Sequence, residues 1–294
     1  MIVQMPPTEM QVEQFLPPWL AAAVIICLPA TAVAVWRVGR WYTSARPIPL
    51  PGDRAMPAVR WPPWFGVGLF VLMYVGAGLV AWGYGSLEQA GLLPWEPMRQ
   101  PGMFSPGVFL AQVLPPLIGL AVVRCFGRGA AGAIGVRVGR TAPTVLVGVA
   151  AFAAVLPICL AALWVNMKLG DVFGVPLKKH PLLVAVEESH GLWVIVVAMF
   201  QAGVLASLSE EFIYRGVLMM TLIKEIGVSG ALVLSSAVFA LVHVPSEPQA
   251  VLPLFFLGIA MGYAAYWTRS LLASVVAHSL FNSLMLVGVF VGTR

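Results

Sequence analysis

Runs of about twenty apolar residues, separated by connectors that hold most of the arginines, recur along the whole chain. A helix of that length spans the hydrocarbon core of a bilayer and satisfies its own backbone hydrogen bonds there. The runs fall at about 15–36, 65–84, 107–123, 144–165, 191–223, 229–244, 250–267 and 271–291. They predict an all-α fold, a polytopic transmembrane helical bundle of about eight spans. Composition agrees, because only 10% of the residues are charged, whereas a soluble domain carries about a quarter. No internal repeat divides the chain, so residues 1–294 read as one membrane-embedded domain with a motif-bearing core at about 191–291. The first fourteen residues hold two glutamates and no lysine or arginine, so an uncleaved first span is expected.

The net charge of +5 does not point to nucleic acid, because the arginines sit in the connectors between apolar runs. With the N-terminus outside, twelve of the seventeen lysines and arginines fall on the inner side, among them Arg124, Lys224 and Arg269. The positive-inside rule then favours both termini outside. Cys27, Cys125 and Cys159 all lie within apolar runs and read as small buried hydrophobes, with no paired spacing.

Against this background the stretch Ser209-Glu210-Glu211-Phe212-Ile213-Tyr214-Arg215 stands out. Charged side chains at bilayer depth cost a few kcal/mol each, so they face the protein interior and mark function. Glu211 and Arg215 are an i,i+4 pair on one helix face and can neutralise each other. Glu210 points about a quarter-turn away, aligned with Tyr214, and lacks a cation on its own helix. An unpaired buried carboxylate is the kind of group that serves as a general base. The alternative is a structural ion cluster.

Gly227 breaks the fifth run from the sixth, which makes them an antiparallel hairpin. Glu210 lies seventeen residues before that glycine and His243 sixteen after it, so both stand roughly 25 Å from the turn. In the eighth run, His278 and Asn282 are another i,i+4 pair, able to offer donors to one point as an oxyanion site would. Interhelical polar glue would use the same pattern. Glu210, His243 and His278 could also ligate zinc, although no His-Glu-x-x-His is present.

The order Glu-Glu-x-x-x-Arg, then Phe-x-x-x-His, then His-x-x-x-Asn on successive apolar segments resembles the CPBP (Abi) family of intramembrane proteases. That family includes the type II CAAX prenyl proteases and bacteriocin-processing or immunity proteins. The resemblance covers about Ala198–Asn282. It implies an endopeptidase acting on a membrane-associated peptide or protein, within a multi-pass integral membrane protein of the cytoplasmic or inner membrane if bacterial. At the matching positions, Glu210 with His243 would activate water. His278 and Asn282 would stabilise the oxyanion, and Glu211 with Arg215 would hold the site in shape. Whether Zn2+ takes part stays open, and the resemblance favours substrate access from the cytoplasmic face. The competing class is a non-catalytic immunity, scaffold or transport protein with buried structural charges.

Four weaker patterns complete the reading. Gly227-Val228-Ser229-Gly230 matches the Gly-x-Ser-Gly of rhomboid proteases but also suits a helix turn. Gly258-x-x-x-Gly262 reads as a close-packing face. His180, Glu187, Glu188 and His190 read as a solvated loop or interfacial helix. The segment Arg37–Arg60, with Trp41, Trp61 and Trp64, reads as an interfacial anchor.

Overall fold

The computed structural model describes residues 18–43, 59, 61–92, 106–127, 129–136, 141–175, 178, 180–188 and 192–292. For residues 18–21, 37–43 and 181 only the backbone is described. His190 and most of the proposed anchor segment lie outside the described residues; of the anchor tryptophans that are described, Trp64 is exposed, but Trp61 is buried, its indole bonded to Thr221 inside the bundle. All regular structure among the described residues is helical. In chain order the helices are α1 (Pro18–Thr43), α2 (Pro63–Gln89), α3 (Pro106–Cys125), the single turn α4 (Ala130–Ala133), α5 (Thr141–Phe173) and α6 (Pro181–Glu188). A continuous stretch from Leu192 to Leu241 follows, then α10 (Val251–Thr268) and α11 (Leu271–Gly292). Among the described residues, six helices are long and apolar enough to cross a membrane, and Ala22–Trp36 is a shorter apolar helix. The protein is a multi-pass integral membrane protein.

Of the two runs missing from the expected eight, the first is represented by the shorter Ala22–Trp36, and the other merges with its neighbour through a local cause at Gly227. The stretch Leu192–Leu241 comprises α7 (Leu192–Ala198), a π-helical segment (Met199–Ala206), α8 (Ser207–Glu211), a second π-helical segment (Phe212–Met219) and α9 (Met220–Leu241). Within α9, Gly227 has φ 70° and ψ 176°. Only glycine adopts that conformation cheaply, and here it reverses the chain. On a straight helix Tyr214 and Phe239, 25 positions apart, would stand about 37 Å from each other. Their ring centroids are instead 5.2 Å apart. The two runs are therefore the expected antiparallel hairpin.

Lipid tails are as apolar as the helices, so apolar burial alone does not drive helices together in a bilayer; close approach and polar contacts do. α5, which extends through the polar residues to Phe173, packs against α1, α10 and α11. The Thr31 hydroxyl donates to the Ala154 carbonyl at 2.9 Å, and the Trp61 indole donates to the Thr221 hydroxyl at 3.0 Å. The Gly258 and Gly262 spacing does what was expected of it. A Cβ on Gly258 would lie 2.8 Å from Ser236 Cβ and 3.1 Å from Arg215 Nη2, and one on Gly262 would lie 2.7 Å from Leu232. α9 and α10 thus touch through glycine, and the gap leaves room for the Arg215 guanidinium. Cys27 and Cys159 are buried as expected, but Cys125 is exposed, because it ends α3 with its side chain turned outward.

Candidate active site

Two π segments flank the short helix that carries the paired glutamates, Ser207–Glu211. π-helical turns inside helices are rare and concentrate at functional sites. Side chains hold the first of them in place. The Asn282 amide donates to the Ala202 carbonyl at 2.9 Å, and the Ser207 hydroxyl donates to the same oxygen at 3.1 Å. Asn282 therefore ties α11 to the turn preceding Glu210.

The expected i,i+4 pair forms. Arg215 Nη1 donates to Glu211 Oε1 at 2.8 Å with both side chains fully buried. The guanidinium also lies over the Phe239 ring, 4.4 Å from its centroid, where a cation meets the negative face of the ring. Glu211 Oε1 takes a second bond, from His278 Nδ1 at 2.9 Å. An oxygen paired with a guanidinium acts as an acceptor, so the His278 hydrogen sits on Nδ1. His278 Nε2 then faces the other glutamate, 3.8 Å from Glu210 Oε2. That distance is beyond a direct hydrogen bond, and it leaves the two groups aimed at a shared space. Glu210 keeps 30% of its side-chain surface accessible, whereas Glu211 keeps none. The adjacent acids thus divide into one structural and one open carboxylate.

His243 lies one turn beyond Phe239. Its Nδ1 meets the Phe239 carbonyl at 2.7 Å. A carbonyl can only accept, so Nδ1 carries the hydrogen and Nε2 is left with a free lone pair. The fully buried Phe239 ring sits edge-on to His243 at 5.1 Å and to His278 at 5.7 Å. It also meets Tyr214 and carries Arg215 on its face. One phenyl ring therefore sets the positions of both histidines and the arginine. The motif spacing names Phe239 but gives it no role; the structure makes it the hub of the site. Tyr214 extends the aromatic contacts to Phe70 on α2, ring centroids 5.4 Å apart.

Glu210, Glu211, Arg215 and His278 are in direct or near-direct contact, and His243 joins them through Phe239. Asn282, one turn beyond His278, spends at least one amide hydrogen on Ala202. Among the described residues, no three His, Cys, Asp or Glu side chains converge to hold a metal ion. Glu210 Oε2 and His278 Nε2 supply two donors where a catalytic zinc takes three protein ligands. The zinc arrangement therefore does not fit these residues as placed. Ser229 of the Gly-x-Ser-Gly pattern is exposed, two residues beyond the Gly227 turn and far along the hairpin from Glu210. It is a turn residue.

Beyond His243 the α9–α10 connector lies against the α5–α6 connector. Burial and the nearby His243 push His180 down to about 4, so it is neutral at physiological pH. Burial pushes the Glu247 carboxyl up to about 7, against the pull of the His180 backbone N–H bonded to it. A carboxyl raised in the folded protein adds stability below its unfolded value and loses it as pH rises through about 7. Glu247→Gln removes that loss, while His180, Lys178 and His243 around it stay unchanged. The thermal midpoint of the variant over the native protein should therefore be larger at pH 8 than at pH 5. An equal difference at both pH values would contradict the burial of this carboxyl.

Residues 191–284 match the family model of type II CAAX prenyl endopeptidases, Rce1-like. The match covers about a third of the chain, the segment that holds the paired glutamates and both site histidines. No curated protein and no solved structure matches the chain. The Rce1-like domain contains all six residues singled out by the motifs, from Glu210 to Asn282, and agrees with the CPBP resemblance. The family supports protease activity in general and implies a membrane-associated substrate. Helices α1 to α6 precede the Rce1-like domain, although α2 reaches its site through Phe70.

Proposed function

We propose that this protein is an intramembrane endopeptidase in which Glu210 and His243 activate water and His278 and Asn282 steady the oxyanion. The observation that carries the reading is the chain Arg215–Glu211–His278–Glu210, which ends in a half-open carboxylate aimed at an oriented imidazole. Water gives its proton to the Glu210 carboxylate, assisted by His243 Nε2, as its oxygen attacks the peptide carbonyl carbon. The displaced electron pair rests on the former carbonyl oxygen, where the second Asn282 amide hydrogen can reach it, as can His278 when its Nε2 carries a proton in addition to the Nδ1 hydrogen held by Glu211. The proton then passes to the leaving nitrogen as the C–N bond breaks. General-base action of this kind contributes roughly 10²–10⁴ in rate. No step requires a metal, in keeping with the two-donor arrangement.

Glu210 stands roughly 25 Å along the hairpin from Gly227, whose end of the bundle also holds Lys224. By the positive-inside rule that end is cytoplasmic, but the tip extends past the inner ends of the neighbouring helices, because Gly216 already lies beside Leu271 and Ile134. His278, which faces Glu210, stands only about 10 Å along α11 from Leu271, so the bond would be cut in the cytoplasmic half of the bilayer. This supports the cytoplasmic access the resemblance favours.

Purified protein in liposomes, given a membrane-anchored fluorogenic peptide, should cleave it at the same rate with and without a strong chelator. Loss of cleavage on chelation, restored by zinc, would overturn the metal-free mechanism. Asn282→Ala and Ser207→Ala separate clamping from catalysis, since each removes one bond to Ala202. If the second amide hydrogen of Asn282 serves the oxyanion, Asn282→Ala should slow cleavage by about 10²–10³ and Ser207→Ala only a few-fold. Equal, small effects would make Asn282 a clamp alone.

A further inference from the structure

Next to His243, two side chains of the α9–α10 connector bind another part of the chain by its backbone. Gln249, which is 8% exposed, accepts a hydrogen bond from the Lys178 backbone N–H at 3.3 Å and donates its amide to the Lys178 carbonyl. Both main-chain groups of one residue are thus taken by a single side chain, as a neighbouring strand would take them. Two residues on, the His180 backbone N–H goes to Glu247. In an extended chain, residues i and i+2 present their backbone groups to the same edge. Gln249 and Glu247 therefore bind alternate residues, Lys178 and His180, as two side chains would along one edge of an extended chain.

The platform is fixed to the site. The His243 carbonyl accepts from the Glu247 backbone N–H at 2.8 Å and from the Ser246 hydroxyl at 3.1 Å. Asn166 on α5 donates to the Pro248 carbonyl at 2.9 Å. Lys178 adds one side-chain bond, from its ammonium to the Pro245 carbonyl at 3.2 Å. Within the segment the His180 ring accepts the Leu182 backbone N–H, but the bonds from Gln249 and Glu247 go to the main chain of Lys178 and His180, so another sequence could make them equally well.

We propose that Gln249 and Glu247 form a backbone-reading subsite for an extended peptide beside His243, filled by the chain's own Lys178 and His180 until substrate displaces them. The proposal deepens the endopeptidase reading and rests on it for the identity of the competitor. It names the substrate feature this end of the site recognises: an unfolded, extended main chain rather than a helix.

The test uses the full-length protein in detergent and a synthetic nonapeptide copying residues 175–183. Lys178→Pro removes one backbone donor from the strap and leaves the subsite intact. It should tighten peptide binding by roughly two- to tenfold, the worth of one net hydrogen bond. Adding Gln249→Leu to it should abolish that gain. Lys178→Gly, which drops the ammonium bond and loosens the backbone, should move binding the same way by less and serves if the proline variant does not fold. In cleavage assays both strap variants should lower KM with kcat little changed. Peptide binding in that order without cleavage by any variant would retain the subsite and refute the peptidase. Robust cleavage with equal peptide binding across the variants, or with none in any of them, would leave a structural clasp and overturn the proposal.

Discussion

Replacing Glu210 with glutamine should leave the bundle folded and slow peptide-bond cleavage by at least about a hundredfold. The substitution keeps the size of the side chain and removes its ability to take a proton. Its cost in stability should be small, because Glu210 is partly accessible and its nearest charged neighbour, His278 Nε2, is 3.8 Å away. Surface or half-exposed pairs of this kind contribute about 0–1 kcal/mol. Initial rates and thermal midpoints measured on the same liposome preparations separate the two effects. Full activity in the variant would refute the role given to this carboxylate.

The largest loss of stability is expected at Arg215. Its guanidinium is buried, bonded to Glu211 and seated on Phe239. Arg215→Met leaves the Glu211 charge without its cation in a dry interior, which costs about 3–5 kcal/mol. The double variant Arg215→Met with Glu211→Met removes both charges and should recover much of that loss, since no unpaired ion remains. Arg215→Lys should not be benign. An ammonium lacks the planar fork that bonds a carboxylate while stacking on a ring. Every variant of this pair should also lose activity, because Glu211 Oε1 is what fixes the His278 hydrogen on Nδ1. Midpoints from thermal unfolding in detergent, arranged as a double-mutant cycle, measure the coupling. Additive losses would show that the pair does not act as a unit.

Much of this was legible before any coordinates, because it depends on spacing. The i,i+4 interval between Glu211 and Arg215 is a property of any helix, and the ion pair forms. Equal distances from Gly227 predicted which residues of the hairpin would share a level, and Tyr214 meets Phe239 on that schedule. The glycine pair at 258 and 262 forecast the close crossing of α9 and α10. Other features left no periodic trace. A π-helical segment differs from an α-helix by one residue per turn, and nothing in Met199–Ala206 announces it. The hydrogen bonds from Ser207 and Asn282 to Ala202 come from residues far apart in sequence, and a backbone carbonyl carries no sequence signature at all. Phe239 looked like one more apolar residue, since a hub is defined by what surrounds it. The polar residues around His180 suggest a solvated loop or interfacial helix; Glu187 and Glu188 do lie on the helix α6, whereas Gln249 and Glu247 bind Lys178 and His180 beside His243. Cys125 was expected to be buried because its run is apolar, yet at a helix end the neighbouring residues do not decide which way a side chain turns.

The most direct measurement is the set of membrane peptides from cells expressing the native protein compared with cells expressing Glu210→Gln at equal abundance. New peptide termini should appear only with the native protein, mapping to extended segments in the cytoplasmic half of the bilayer. Identical sets from the two would contradict an endopeptidase centred on Glu210. New termini confined to the outer side would contradict the placement of its site.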